Sequence, residues 1–130
     1  MSITPNEIIP VVAYEDIRAA HDGLVDVLGF ESGGLYELPD GTVIHGEVCA
    51  GSNRIWLHAV AGGLETPRRT SVATSGIVVF VPNVDEHFAY AKAKGAEIVR
   101  EPEDQEYGLR DYGARDPEGH PWYISTPLAP

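Results

Sequence analysis

Ser75-Gly76-Ile77-Val78-Val79-Phe80-Val81, followed by Pro82-Asn83-Val84-Asp85-Glu86-His87-Phe88-Ala89-Tyr90-Ala91-Lys92-Ala93-Lys94-Gly95, is the stretch from which the fold can be read. The first seven residues are a short apolar run rich in β-branched and aromatic side chains, the composition of a strand. The rest carries the marks of a helix. Asn83 can cap it with Glu86 three residues on, and Asp85 and Glu86 sit where the helix dipole favours negative charge. Val84, Phe88 and Ala91 make an apolar stripe, and Lys92 and Lys94 precede the stop at Gly95.

The same order occurs earlier in the chain. Ile8 to Tyr14 (IIPVVAY) reads as a strand, and Ile17, Ala20, His21, Leu24 and Leu28 then recur at helical spacing until Gly29. Extended runs follow near Leu35 to Leu38, Thr42 to Cys49 and Arg54 to Val60, separated by Pro39-Asp40-Gly41 and by Ala50-Gly51-Ser52-Asn53. In the second half the runs fall near Glu97 to Arg100, Tyr112 to Arg115 and Pro121 to Thr126, with a loop and the turn Asp116-Pro117-Glu118-Gly119 between them. The order is βαβββ, twice. An α+β chain is therefore expected, one domain over residues 1–130 with internal modules at about 7–61 and 74–127. A half-unit of this size has a marginal core alone, so the modules should share a sheet or pair with another subunit.

Composition narrows the functional classes. The 130 residues are 43% hydrophobic and 22% charged, and no apolar stretch is long enough to span a bilayer, so a soluble chain is expected. The opening MSITPNE lacks a basic start followed by an apolar block, which predicts no secretory signal. A single cysteine, Cys49, leaves no internal disulfide and fits a reducing cytoplasm. The formal charge of -11 repels phosphate backbones and anionic membranes, and favours a cationic small ligand.

With this layout the chain resembles the vicinal oxygen chelate superfamily, the glyoxalase, bleomycin-resistance and dioxygenase group, and most of all its PhnB-like branch. The resemblance is carried by Val43-Ile44-His45-Gly46-Glu47-Val48, by Leu28-Gly29-Phe30 closing the first helix, by Asp104-Gln105-Glu106-Tyr107-Gly108 leading to Arg110, and by Arg115-Asp116-Pro117-Glu118-Gly119-His120-Pro121-Trp122. It implies two βαβββ modules forming a cupped eight-stranded mixed sheet whose hollow holds the ligand, with the modules from one chain or exchanged in a homodimer. In the metal-dependent members an ion sits in that hollow and polarises substrate oxygens. Alignment on the helix starts and the Asp-Pro-x-Gly turn puts Ile9, His58, Gly76 and Tyr123 at the ligand positions. Only His58 can bind a metal, and IIPVVAY, SGIVVFV and PWYIST contain no His, Asp, Glu or Cys.

Two hairpins suggest what occupies the hollow. A tight connection centred on Gly51-Ser52 places His45 opposite His58 and Glu47 opposite Trp56, all on one face. These residues make either a small zinc or acid-base site, or a polar, partly hydrated patch. A turn over Pro117 to His120 puts Ala114 opposite Tyr123 and Tyr112 opposite Ser125, sending Tyr112 and Tyr123 into the hollow with Trp56. Tyr107 and Arg110 then lie on a loop at its mouth. The expected ligand-binding set is His45, Glu47, Trp56, His58, Tyr107, Arg110, Tyr112 and Tyr123, with no metal, no cofactor and no assigned catalytic residue. Such an aromatic cavity with few polar groups suits an organic molecule.

Two functions remain open: metal-independent sequestration of an aromatic or cationic small molecule, or a metal-dependent glyoxalase- or dioxygenase-type enzyme working through His45, Glu47 and His58. Of the other histidines, His21 reads as a satisfied core or interface residue, His87 as solvent-facing and His120 as a turn cap. Exposed sheet edges predict a homodimer.

Overall fold

Residues 2–129 are described by a computed structural model, in which the duplicated order is realised. The first module contains β1 (Val11–Tyr14), α1 (Ile17–Asp26), β2 (Glu31–Glu37), β3 (Val43–Ala50) and β4 (Asn53–Ala59). A connection carrying the short helix α2 (Pro67–Thr70) leads to β5 (Ile77–Phe80), α3 (Val84–Ala93), β6 (Glu97–Asp104), β7 (Leu109–Arg115) and β8 (Pro121–Pro127). The eight strands divide into two four-stranded mixed sheets, β1-β4-β3-β2 and β5-β8-β7-β6, each with its module's first strand parallel at an edge. No helix among the described residues is long and apolar enough to cross a membrane.

Local chemistry sets the helices. Asp16 accepts the Ala19 N–H at the start of α1 and Asn83 accepts that of Glu86 at the start of α3, each satisfying a donor that the helix leaves unpaired. The faces they bury, Ile17, Ala20, His21 and Leu24 on α1 and Val84 and Ala91 on α3, cover one side of their own sheets. His21 is satisfied there, by the Ser32 hydroxyl at 2.6 Å and Asp22 at 2.9 Å.

Strand limits differ from the sequence expectation where proline intervenes. The β1 ladder begins at Val11, not Ile8, because Pro10 has no N–H to give and supplies only its carbonyl, to the Trp56 N–H. The segment after Arg100, expected as a loop, continues β6 to Asp104 with its register shifted around Pro102, which an edge strand tolerates. It turns through Gln105–Gly108 on the Gln105 N–H to Leu109 carbonyl bond of 2.7 Å, with Gly108 at a φ of 85°.

The modules meet through their helix-bearing sides. Asp116 accepts the Tyr14 hydroxyl at 2.6 Å and the Trp122 indole N–H at 3.0 Å, while Glu118 accepts the backbone N–H groups of Glu15 at 2.6 Å and Asp16 at 3.0 Å. Burial first, and the Asp116 charge second, hold the Tyr14 phenol well above its ordinary range. Trp122 packs edge-on against Phe30. Two histidines depart from expectation here. His87 does not face solvent: its Nε2–H donates to the Leu28 carbonyl and its Nδ1 accepts the Tyr112 hydroxyl, both at 2.7 Å. His120 donates from Nε2 to the Ala13 carbonyl at 2.6 Å, linking the modules instead of capping its turn.

Glu118 is 4% exposed, so removing its carboxylate strands two backbone donors at the joint. Glu118→Ala is expected to lower unfolding free energy by about 2–3 kcal/mol in urea titration, while exposed Glu101→Ala changes it by less than about 0.5 kcal/mol. Equal effects would show that the joint does not depend on this clamp.

Candidate functional site

The face of the first sheet turned away from α1 is built by strand alternation. Val48, Ile55 and Leu57 are buried on the α1 side, so the alternate residues of β3 and β4 point the other way. The register places His45 opposite His58 and Glu47 opposite Trp56, with Val11 and Ala13 of β1 beside Trp56 and His58. The ring centres lie 5.0 Å apart for His45 and His58, 5.3 Å for His45 and Trp56, and 6.2 Å for Trp56 and His58. Trp56 and His58 are within 10° of parallel, and His45 stands nearly perpendicular to both.

Glu47 anchors this group. Its Oε1 accepts the Trp56 indole N–H at 3.0 Å and lies 3.6 Å from the Arg54 guanidinium. Gly33 makes the room: a Cβ there would sit 2.7 Å from the Glu47 Cβ, closer than real carbon contacts allow. His45 and His58 have no hydrogen-bond partner among the described residues, unlike His21, His87 and His120. Desolvation, and then the neighbouring His58, hold the His45 imidazole below its ordinary range despite the opposing Glu47 charge.

The second module supplies less of the expected set. Tyr123 does face away from α3, opposite Gly113 and beside Val78, and is 38% exposed. Tyr112 does not join it. The register pairs Tyr112 with Ile124 and Ala114 with Trp122, so Tyr112 lies fully buried on the α3 side against Phe88 and His87. The cause is the β7–β8 connection, which centres on Glu118. Asp116 bonds the Glu118 and His120 N–H groups with its carboxylate, and its own N–H donates to the His120 carbonyl, so one more residue enters the loop than a four-residue turn would hold. Arg110 likewise lies on the α3 side, where it pairs with Asp85 of α3 and Asp104 of β6, each at 3.1 Å, and is not at a mouth of the hollow. Tyr107, in the β6–β7 turn, donates its hydroxyl to Asp111 at 3.2 Å.

Several residues on this face escaped sequence reasoning. Asp111 is buried and also accepts from Arg100 at 2.7 Å and Gln105 at 3.0 Å, and the hydroxyl of its strand partner Ser125 is buried without a partner among the described residues. Val78 and Phe80 are 53% and 58% exposed. Their signal was present: Ile77-Val78-Val79-Phe80-Val81 is apolar at every position, the pattern of a strand covered on both faces.

The positions implied for a metal do not fit one. Ile9 and Gly76 precede their strands, and the Tyr123 ring fills the space beside Gly76, where a Cβ would meet it at 2.7 Å. His58 is the one donor, and no three His, Cys, Asp or Glu side chains group as ligands among the described residues. A cavity of about 1060 Å³ lies elsewhere, between α1, residues 71–76 and the start of β6, and of the expected ligand-binding residues it touches only Tyr123. Its walls mix small residues such as Ala19, Gly23 and Ala96 with Asp16, Arg68, Arg115, Asp116 and Glu118. Asp116 and Glu118 are already engaged in joining the modules, so the ring group on the open face is the better candidate.

Two outcomes follow. In an NMR titration His45 is expected to protonate below about pH 6.5, the ordinary histidine value. Because the folded chain then holds this proton less readily than the unfolded chain, His45 leaves stability untouched above that pH and subtracts from it as pH falls below; a titration at or above 6.5 would contradict the geometry. Gly33→Ala is expected to displace Glu47 and shift the Trp56 indole N–H resonance while leaving that of Trp122 in place.

The family model described as Glyoxalase/Bleomycin resistance protein/Dioxygenase superfamily matches residues 9–124. Among solved structures, TioX from Micromonospora sp. ML1 shares 31% identity over 95% of this chain and 100% of its own, with a TM-score of 0.75. A glyoxalase-related enzyme from Clostridium phytofermentans, at 16% identity, covers 96% of this chain and 97% of its own with a TM-score of 0.75, a likeness of fold alone. A superfamily enzyme from Burkholderia phytofirmans PsJN, at 22% identity over 91% of this chain and 95% of its own, has a TM-score of 0.64 and again speaks only for the fold. No curated protein sequence gives a significant match. The extent of the family match, together with the duplicated βαβββ order, makes this chain a member of the glyoxalase/bleomycin resistance protein/dioxygenase superfamily.

Proposed function

We propose that the protein binds an aromatic or cationic small molecule without a metal, in the manner of antibiotic sequestration, on the open sheet faces. The observation that carries this reading is the convergence of Trp56, His45 and His58 rings on one half-buried face, two of them imidazoles without a hydrogen-bond partner among the described residues, where the implied ion positions offer a single donor. Flat apolar rings with a few hydrogen-bonding groups recognise organic molecules, and the charge of -11 draws cations toward them while repelling nucleic acid and anionic membranes.

The hollow needs a second copy. Within one chain the sheets are not joined, and β1 and β5 both stand at edges with Val11, Val78 and Phe80 uncovered on the faces away from the helices. Pairing β1 of one copy with β5 of another would join the sheets into the eight-stranded cup and bring Tyr123 over the first-module rings. The Tyr107-Gly108-x-Arg110 and Arg115-Asp116-Pro117-Glu118-Gly119 segments favour the PhnB-like branch, and the lone Cys49 favours a cytoplasmic setting.

An enzyme of glyoxalase or dioxygenase type is the second reading, favoured by His45 and His58 standing face to edge with Glu47 on the same face. It requires Glu47 to leave Trp56. Metal analysis of freshly purified protein separates the two, since a working site retains close to one equivalent and the sequestration reading expects less than about a tenth. Isothermal titration against glycopeptide, quinone and polycyclic compounds is expected to show binding unchanged by chelator; loss of all binding in chelator would reject the metal-free reading. Light scattering at micromolar concentration is expected to give twice the chain mass, and a single chain mass would remove the completed cup.

A further inference from the structure

His21, on the buried face of α1, is the middle of a hydrogen-bonded chain far from the open-face ring group. Its Nδ1 lies 2.9 Å from the Asp22 carboxylate and its Nε2 lies 2.6 Å from the Ser32 hydroxyl. The carboxylate only accepts, so Nδ1 carries the proton and Nε2 keeps the lone pair that takes the Ser32 O–H. His21 is 8% exposed, whereas Ser32 is exposed and the Asp22 side chain is 59% exposed. His87 and His120 each bond a backbone carbonyl of the other module. The His21 chain instead ends on a hydroxyl that meets water.

The backbone around Ser32 suits nucleophilic chemistry. Its strand, β2, is an edge strand, and the register shift between Ser32 and Gly34 leaves Gly33 out of the ladder with β3. The N–H of the residue after the hydroxyl is thus not committed to β3 and can serve a developing oxyanion. Gly34 donates its N–H to Ser32 Oγ at 3.0 Å, which fixes that oxygen and favours negative charge on it. A Cβ on Gly34 would meet nothing within 4 Å, so the space beside the hydroxyl is open.

We infer that Ser32, His21 and Asp22 form a separate hydrolytic site for small, neutral or cationic carboxylic esters. Ser32 Oγ attacks the carbonyl carbon as its proton passes to His21 Nε2, and the bond from that carbon to the alcohol oxygen breaks as the proton moves to the leaving oxygen. Water then attacks the acyl group on Ser32, giving its proton to His21. The acid leaves as Ser32 Oγ takes that proton back. Asp22 is a positioning residue that holds the imidazole tautomer. The substrates are small because the large cavity does not reach Ser32, and the charge of -11 disfavours anionic ones.

The test incubates the full chain with p-nitrophenyl acetate near neutral pH, and separately with a fluorophosphonate, which phosphonylates activated serine hydroxyls and is located by peptide mass spectrometry. Nitrophenolate release above the buffer rate and a label on Ser32 are expected. Ser32→Ala, its fold checked by circular dichroism, is expected to lose the label and to slow release by about tenfold or more. Background hydrolysis by other imidazoles survives in that variant, so the difference belongs to Ser32. Asp22→Asn is expected to lower kcat by about tenfold or more with KM unchanged, while Ser52→Ala, in the β3–β4 turn, changes neither. If Ser32→Ala fails to fold, the label and Asp22→Asn decide. A wild type that is not labelled at Ser32, or a folded Ser32→Ala or Asp22→Asn with wild-type kinetics, overturns the site and leaves the aromatic-binding reading standing.

Discussion

Two carboxylates in one turn determine which surfaces of this molecule are free. Asp116 holds the Tyr14 hydroxyl and the Trp122 indole, and Glu118 holds the backbone at the entrance of α1, so the second module is tied to the first across their helix-bearing sides. Both carboxylates are engaged by donors with little access to water, where charge-assisted hydrogen bonds are strong and their loss leaves unpaired groups. With the helix sides committed to the joint, the opposite sheet faces are left for a ligand or a second chain. That the strand IVVF is apolar on both sides, yet shows Val78 and Phe80 to solvent, is the consequence most visible in one copy.

The ring group on β3 and β4 gains its order from the same economy of local constraints. Gly33 gives Glu47 its place, Glu47 gives the Trp56 ring its orientation, and Trp56 faces His58 across the width of one pleat. Burial and a neighbouring imidazole hold the His45 imidazole below its ordinary range, which favours its neutral form, an acceptor as well as a donor. Of the positions that the resemblance implies for an ion, Ile9, His58, Gly76 and Tyr123, only His58 brings a donor, and the Tyr123 ring fills the space beside Gly76. On the open face of this chain stand the rings of Trp56, His45 and His58, the two imidazoles without hydrogen-bond partners among the described residues.

Much of this was legible in the residues because it is local. The caps at Asp16 and Asn83, the strand-helix order and the facing of His45 with His58 depend on neighbours a few positions away or on a short connection. What was not legible depends on side chains meeting across the chain. The Asp116 carboxylate drew an additional residue into the β7–β8 loop, and that slip moved Tyr112 from the open face to the core. His87 read as solvent-facing and His120 as a turn cap because their acceptors, the Leu28 and Ala13 carbonyls, lie in the other module. Arg110 read as a ligand contact for want of any local sign that Asp85, at the start of α3, would claim it.

The central claim is that the open face of the first sheet grips an aromatic ligand with rings and imidazoles, with no ion between them. A crystallographic density map of the protein with a bound polycyclic ligand tests it most directly. The predicted result is ligand density against Trp56, His45 and His58 on the side of the sheet away from α1. Density showing the ligand chelated to a cation that several side chains coordinate would contradict it.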